Sequence, residues 1–458
     1  MKKSILVVLG LLIIIALLPV LGNSFIKSSI DKRVKKLGSL GLVTSKDESQ
    51  TSYLNSSRHF EFLLEDSQKF QNYIKQYSDK QMPAYIDALL SGVLVGVDVE
   101  YSNLPFAKAL SIEIYPLALS SKVQKSIAQS DSEFSLYVEK FLQSKGILYH
   151  IDYNLLNDDF KGYLKGVDEK YTLKEGIALS IKLDKANFSG NGELIAPKTL
   201  ETNIKELYFS VAQERANLQF TFKKFSANSN FESQNTYVTS ADVEEVGITL
   251  NGTPNDVNLS IRQIKLNGSS NEQGEHTELN SKISLKEMQY SSQEISFLLN
   301  KLDLDVALSG LDKKKFEELR VMISKKNNLD SFLEEKELQN AILELISKGM
   351  LLEIADFSLK SIELQNQDDL KGFKIKSKIT ITEDTSLGQK IKLSPLLALS
   401  NIDMTSKIEL SKEIYMILLN SQPLLQTLNR YIKEDRGNYL FDISFIDSKM
   451  SINEKRLF

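Results

Sequence analysis

The sequence predicts an α+β fold that is predominantly β. It reads as an N-terminal transmembrane helix followed by an elongated, largely antiparallel β-sheet, a sandwich or a curled trough, with helices near both ends. Three observations lead there. Residues 4–26 carry no charge, and residues 5–21 are almost wholly apolar. Many later stretches alternate apolar and mixed residues with period two, the mark of half-buried strands. Helical periodicity is confined to the two ends of the remaining chain.

The apolar run at 5–21 follows Lys2 and Lys3, and at ~1.5 Å per residue a helix there can just cross the ~30 Å hydrocarbon core of a bilayer. A cleaved signal peptide is the alternative: Pro19 breaks the helix, and Val20, Leu21 and Gly22 suit cleavage after Gly22. The length of the run favours an uncleaved anchor at residues 1–26, and either reading exports the rest. Lys27, Lys32, Arg33, Lys35 and Lys36 outnumber the lysines ahead of the run, which alone would hold the C-terminal side in the cytoplasm. A long C-terminal part translocates despite such flanks. The expected location is therefore a bacterial inner membrane, single-pass, with the large C-terminal part in the periplasm. Residues 27–52 read as a basic juxtamembrane linker, either a solvated collar or a contact with anionic headgroups; 38–51 is its polar end.

The body of the chain divides into a mixed α/β part at 53–175, a β-rich middle at 176–310 and a C-terminal part at 311–458 with a helix pair, strands, a long helix and a final hairpin. Alternation marks strands through Val93 to Tyr101, Leu110 to Ile114, Ile147 to Tyr153, Ile177 to Leu183, Leu207 to Val211 and Leu218 to Phe222. It returns at Ile248-Leu250, Val257 to Ile261, Leu302 to Leu308, Phe373-Ile375, Ile379-Ile381 and Phe441 to Phe445. Turn residues separate them at 189–192, 251–254, Asn267-Gly268 and 436–438. Helices are expected at 67–77, 83–90, 312–324, 331–348 and 411–433, the last interrupted at Pro423. A further helix after Asp131 or Ser132 carries Phe134, Tyr137, Val138, Phe141 and Leu142 on one face, with Gly146 as the residue just past its cap. From 176 to 310 strand follows strand with no helical pattern between, so the shared apolar face must meet a second layer, close on itself, or stay open as a groove.

The chemical inventory is sparse. The chain of 458 residues has no Cys and no Trp, and only His59, His150 and His276. That excludes disulfides, Cys-ligated metals and thiol catalysis, and leaves few groups that titrate near pH 7. With 56 basic and 60 acidic side chains and a net charge of −4, no nucleic-acid partner is expected. Each histidine has acidic company: His59 with Glu61, His150 with Asp152, His276 with Glu275 and Glu278. An H-x-D or H-x-E pair on a strand points both side chains to one face, as a small metal site or a His–carboxylate base requires, but plain surface or rim positions are the preferred reading for three isolated histidines. Asp303 and Asp305 share a strand face that reads as a solvated outer one. Residues 366–372 lack the order of a calcium loop and read as a polar hairpin loop. No G-x-S-x-G, H-E-x-x-H, Walker or dinucleotide-binding motif is present. No catalytic, cofactor-binding or metal-binding residues are assigned, no cofactor is expected, and the chain reads as not an enzyme.

Three stretches resemble the YdgA-like family of bacterial proteins. Residues 53–64 (YLNSSRHFEFLL) are similar to the family's early tyrosine-to-Arg-Gly-Phe strand, with Arg58 and Phe60 fitting and His59 where glycine is common. Asn103-Leu104-Pro105-Phe106 is similar to its His-Gly-Pro-Leu/Phe stretch, with the His and Gly replaced. From Leu279 to Phe458, the strands, helix pair and last hairpin follow the family's order. The resemblance implies a protein of unassigned activity with one N-terminal membrane segment and a β-rich exported part, and supplies no site residues. Two functions follow as expectations: a non-enzymatic periplasmic binding or scaffold partner for an envelope complex, tethered to the inner membrane through residues 5–21, or a carrier of lipid or another hydrophobic ligand in an apolar β-trough. Exposed strand edges also make self-association an option.

Overall fold

The computed structural model describes residues 2–75, 84–104, 109–194, 196–214, 216–233, 235–252, 256–324, 336–364, 369–421 and 423–457. It is predominantly β, with 57% of it in strands, and the chain divides into two compact units, residues 1–205 and 206–458.

The first unit opens with helix α1 (Lys2–Ser39), unbroken through Pro19. The expected anchor lies in its first half, where the side chains up to residue 18 lie outside the described ones; among the described residues no helix is long and apolar enough to cross a membrane. Strands β1 (Leu42–Thr51) and β2 (Asn55–Leu64) follow, then α2 (Ser67–Lys75), α3 (Ala84–Leu90), β3 (Leu94–Ser102), β4 (Ala109–Ala118), α4 (Ser121–Ser130) and α5 (Ser132–Gln143). The unit continues with β5 (Tyr149–Asn154), β6 (Asp159–Leu164), β7 (Val167–Thr172), β8 (Ala178–Leu183), β9 (Ala186–Gly192) and the start of β10 (Pro197–Gln213). Antiparallel pairing runs β1–β2–β3–β4–β5–β6–β9–β10, with β7 and β8 forming a hairpin.

A period-two strand meets a 3.6-period helix in this core. On β2 every second residue, Ser56, Arg58, Phe60, Phe62 and Leu64, is buried. Ile26, Ile30, Val34 and Leu37 of α1 form the matching stripe over Phe60, Phe62, Tyr101, Ile151 and Tyr153. The linker expected at 27–52 is therefore helix and strand. Its lysines dominate the composition and hide the apolar stripe between them, while β1 is nearly all exposed and offers no apolar alternation to read. Arg58, 7% exposed, donates to Asp31 of α1 (2.5 Å) and Asp47 of β1 (2.8 Å) and lies over the Phe60 ring, so one buried cation ties helix, edge strand and sheet together.

The Asp131 cap forms as expected, its Oδ1 accepting from the Glu133 and Phe134 amides at 3.0 Å. The C-terminus differs by one residue. Lys145 takes the left-handed conformation (φ 54) after the Ser144 cap, and Gly146 follows, donating to the Phe141 carbonyl at 2.8 Å. This is the 6→1 bond of a Schellman ending. Gly146 is needed because a Cβ there would sit 2.3 Å from the Phe141 ring. Residues 189–192, expected as a turn, belong to β9.

The second unit is a meander of long strands: β11 (Ala216–Phe231), β12 (Tyr237–Asn251), β13 (Val257–Gln273), β14 (His276–Ser292), β15 (Ser296–Asp312), β16 (Met350–Leu364), β17 (Leu370–Ile381) and β18 (Ile402–Ser411). Each is antiparallel to the next, and β18 pairs with β20 (Asn438–Ile446). Helices α6 (Lys313–Ser324) and α7 (Lys336–Ser347) lie between β15 and β16, and α8 (Leu387–Leu393) follows β17. Helix α9 (Lys412–Ser421), a 3-10 helix (Pro423–Tyr431) and β19 (Lys433–Asp435) lie between β18 and β20, and β21 (Lys449–Ile452) and β22 (Lys455–Arg456) close the chain. The helix expected at 411–433 thus breaks at Pro423 as read. The turn at 436–438 forms a tight hairpin with Arg436 and Gly437 both at positive φ. Asn267-Gly268 is not a turn but the middle of β13. Residues 331–335 and 366–368 lie outside the described residues, and Leu370 to Gly372, expected in the 366–372 loop, belong to β17.

Candidate functional site

Two of the three histidines are brought onto one line. Cross-strand register aligns His59 (β2), Asp98 (β3), Glu113 (β4) and His150 (β5) on the sheet face opposite α1. His59 Nδ1 lies 2.6 Å from Asp98 Oδ1, and Asp98 Oδ2 accepts from Tyr115 (2.9 Å) and Lys145 (2.7 Å). Lys145 also donates to Glu113 at 2.7 Å. The anticipated pairs are looser: His59 Nε2 to Glu61 and His150 Nε2 to Asp152 are each 3.4 Å. His276 is exposed at the start of β14, opposite Gln273 and Asp312 in register, and joins neither of the other histidines.

Lys145 and Asp98 hold each other in their charged forms. Desolvation alone would lower the Lys145 ammonium, but hydrogen bonds to Asp98 and Glu113 carry it well above its ordinary range. Burial would raise Asp98, yet the donors Lys145, His59 and Tyr115 bring it below its ordinary value of 3.8. Burial and the bond to Asp98 push the Tyr115 hydroxyl up to about 12. A lysine held protonated and an aspartate held ionised are poor proton carriers near neutrality; the line acts as a brace for the left-handed Lys145. Among the described residues no group of three or more His, Asp or Glu is placed to hold a metal ion.

This brace has a pH signature. Because Asp98 ionises more readily folded than unfolded, its contribution is complete above the unfolded value and is lost as pH falls through the lower folded one. The stability difference between the wild type and Asp98→Asn is expected to be largest near neutrality and to shrink below pH 3.8. Urea unfolding at a series of pH values measures it; a difference that persists down to pH 2 would contradict the assignment.

The larger feature is the apolar face of the second unit. Register places side chains in rows that cross the strands. One row reads Phe225, Val243, Ile264, Leu285, Leu302, Leu359, Phe373, Leu410 and Tyr439; the next reads Ala227, Ala241, Leu266, Ile283, Leu304, Phe357, Ile375, Ile408 and Phe441. On the other side lie Phe222, Val246, Ile261, Met288, Leu299 and Ile362, then Phe220, Ile248, Leu259, Tyr290, Phe297 and Leu364. At ~4.8 Å per strand spacing, the first row is about 38 Å long.

Strict alternation would not keep these rows on one face, because Phe222 and Phe225, or Ile261 and Ile264, differ in parity. Each strand changes phase at the same level, through Lys223-Lys224, Glu244-Glu245, Arg262-Gln263, Lys286-Glu287 and Asn300-Lys301. Lys224, Gln263 and Lys301 take positive φ there (48, 51 and 52). The Phe222 and Phe225 rings, 5.6 Å apart, show that both point the same way. Since neighbours shift together, the pairing register continues across the line. The opposite face is ionic, with Lys223–Glu245 (3.1 Å), Arg262–Glu287 (3.0 Å) and Lys282–Asp305 (3.3 Å), so Asp305 is on the solvated face as read.

Helices cover this apolar face only in part. Leu279, Leu308 and Met350 pack under α6 and α7, and Leu410, Tyr439 and Phe441 under α9 and the 3-10 helix. Elsewhere Leu218, Ile248, Leu266 and Ile283 are 37–40% exposed. Over β11–β14 these large apolar side chains meet solvent. No family model, curated protein or solved structure matches the chain.

Proposed function

We propose that the chain is a membrane-tethered envelope protein of the YdgA-like kind, held to a bacterial inner membrane by residues 5–21 with its folded part in the periplasm, and that it works by binding lipid acyl chains. The observation that carries this reading is the partly exposed apolar face over β11–β14. Its central rows offer no hydrogen-bonding side chain apart from the hydroxyl groups of Tyr290 and Tyr439, and the strands' backbone groups are spent on the ladder. A protein partner needs roughly one hydrogen bond per 100–200 Å² of interface, whereas hydrocarbon needs none and gains about 0.8 kcal/mol per buried CH₂. That favours a lipid carrier over a scaffold surface. Continuous exposed apolar areas of this kind mark interaction sites in stable proteins.

The test is lipid retention. Full-length protein purified from membranes is expected to carry lipid that native mass spectrometry detects, and the double variant Leu266→Asp/Ile283→Asp should lose most of it. Both side chains are more than a third exposed, so the variant should melt within a few degrees of the wild type. Equal lipid content in the two proteins would overturn the reading, because lipid around the tether is common to both.

A further inference from the structure

Helix α1 sorts its side chains by chemistry after residue 22. Toward the sheet lie Ile26 and Ile30, buried, with Val34 and Leu37. Asn23 faces the same way, its Oδ1 accepting from Tyr101 at 3.0 Å. The two charged groups other than lysine are also turned to the sheet's own residues: Asp31 to Arg58 and Arg33 over the Tyr153 ring, 5.3 Å from its centroid. What faces away is cationic and aromatic. Phe25, 69% exposed, and the exposed Lys32 and Lys35 lie on the side away from the buried stripe, and Lys27 is exposed on its flank. The only carboxylate in this stretch, Asp31, is half-exposed and shares Arg58 with Asp47, but Lys27, Lys32, Arg33, Lys35 and Lys36 outnumber it, so the exposed part of the helix is net positive.

An exposed phenylalanine beside lysines, at the point where an uncharged segment ends, is the composition of a membrane–water interface. Lys27 adjoins the last uncharged residue and Lys32 stands about 7.5 Å further along the helix at ~1.5 Å per residue, within the ~10 Å over which a charged surface acts at moderate salt. We propose that the exposed side chains of α1 from Phe25 to Lys32 form a contact surface for anionic phospholipid headgroups at the point where the helix leaves the bilayer. The proposal rests on the tether reading and is independent of the apolar face of the second unit. Because α1 is continuous and its inner stripe is docked on the sheet, headgroups gripped there hold the first unit against the membrane surface.

The experiment uses the full chain in detergent, titrated with phosphatidylglycerol or phosphatidylethanolamine and read by native mass spectrometry. Wild type should retain phosphatidylglycerol at least about tenfold better than Lys27→Glu/Lys32→Glu, at roughly fivefold per lysine, with the advantage shrinking in high salt and surviving in Lys27→Arg/Lys32→Arg. Lys122→Glu/Lys125→Glu, exposed on α4, should behave as wild type. Equal retention by wild type and the Lys27/Lys32 charge reversal overturns the proposal, as does displacement of the lipid by millimolar inorganic phosphate, which would make the site one for free anions. Recovery of the chain in the soluble fraction of cells would instead overturn the tether reading beneath it.

Discussion

Replacing Phe60 with alanine is expected to destabilise the first unit by about 4 kcal/mol, the range for removing a fully buried aromatic ring. Phe60 is 1% exposed and stacks on Phe62 at 5.6 Å. It lies beneath Arg58, whose guanidinium holds Asp31 of α1, so the loss extends beyond the cavity. The floor under Ile26 and Ile30 collapses, and the arginine loses the ring that orients it. Urea unfolding measures the free energy, and amide exchange across residues 23–37 should accelerate as α1 loosens. A change below about 1.5 kcal/mol with unaltered exchange would mean that α1 is held by other contacts.

Gly372→Ala is expected to be the most damaging single-methyl insertion in the second unit, at about 3 kcal/mol. Gly372 sits on β17 at the level of the phase change, where a Cβ would come 1.8 Å from the Leu359 carbonyl oxygen of β16. The obstacle is backbone in a paired strand, so relief requires β16 and β17 to part, breaking the Leu359–Phe373 and Ser361–Lys371 pairs. By contrast, alanine at Gly274 in the β13–β14 turn meets no atom within 4 Å and is opposed only by its positive φ of 62, about 1 kcal/mol. Thermal unfolding of both variants tests the ranking; equal melting temperatures would show that the sheet opens freely along that line.

Much of the apolar face was legible before the fold. Val257, Leu259 and Ile261, or Leu302 through Leu308, alternate cleanly, and both segments lie on strands with the expected side inward. Their lengths were not legible. Each phase change, such as Arg262-Gln263, looks in one chain like the end of a strand, because period-two alternation fails there. Only the neighbouring strand, carrying Glu244-Glu245 at the same level, shows that the ladder continues. The histidine line was partly visible as H-x-E and H-x-D pairs, but its strongest members, Asp98, Lys145 and Tyr115, come from a different strand, a helix end and another strand, and no spacing connects them.

Composition by itself determined that this protein lacks thiol chemistry and nearly lacks histidine, that its charge is close to balanced, and that its body is built of strands with one apolar side. Those are properties of residue type and local period, which need no partner. The tertiary structure alone decided that the lysine-rich stretch after residue 26 is a docked helix, that short alternating runs join into strands of 15–17 residues, and that their apolar side stays partly open. Each depends on what lies opposite a residue, and burial and register are set between segments far apart in the chain.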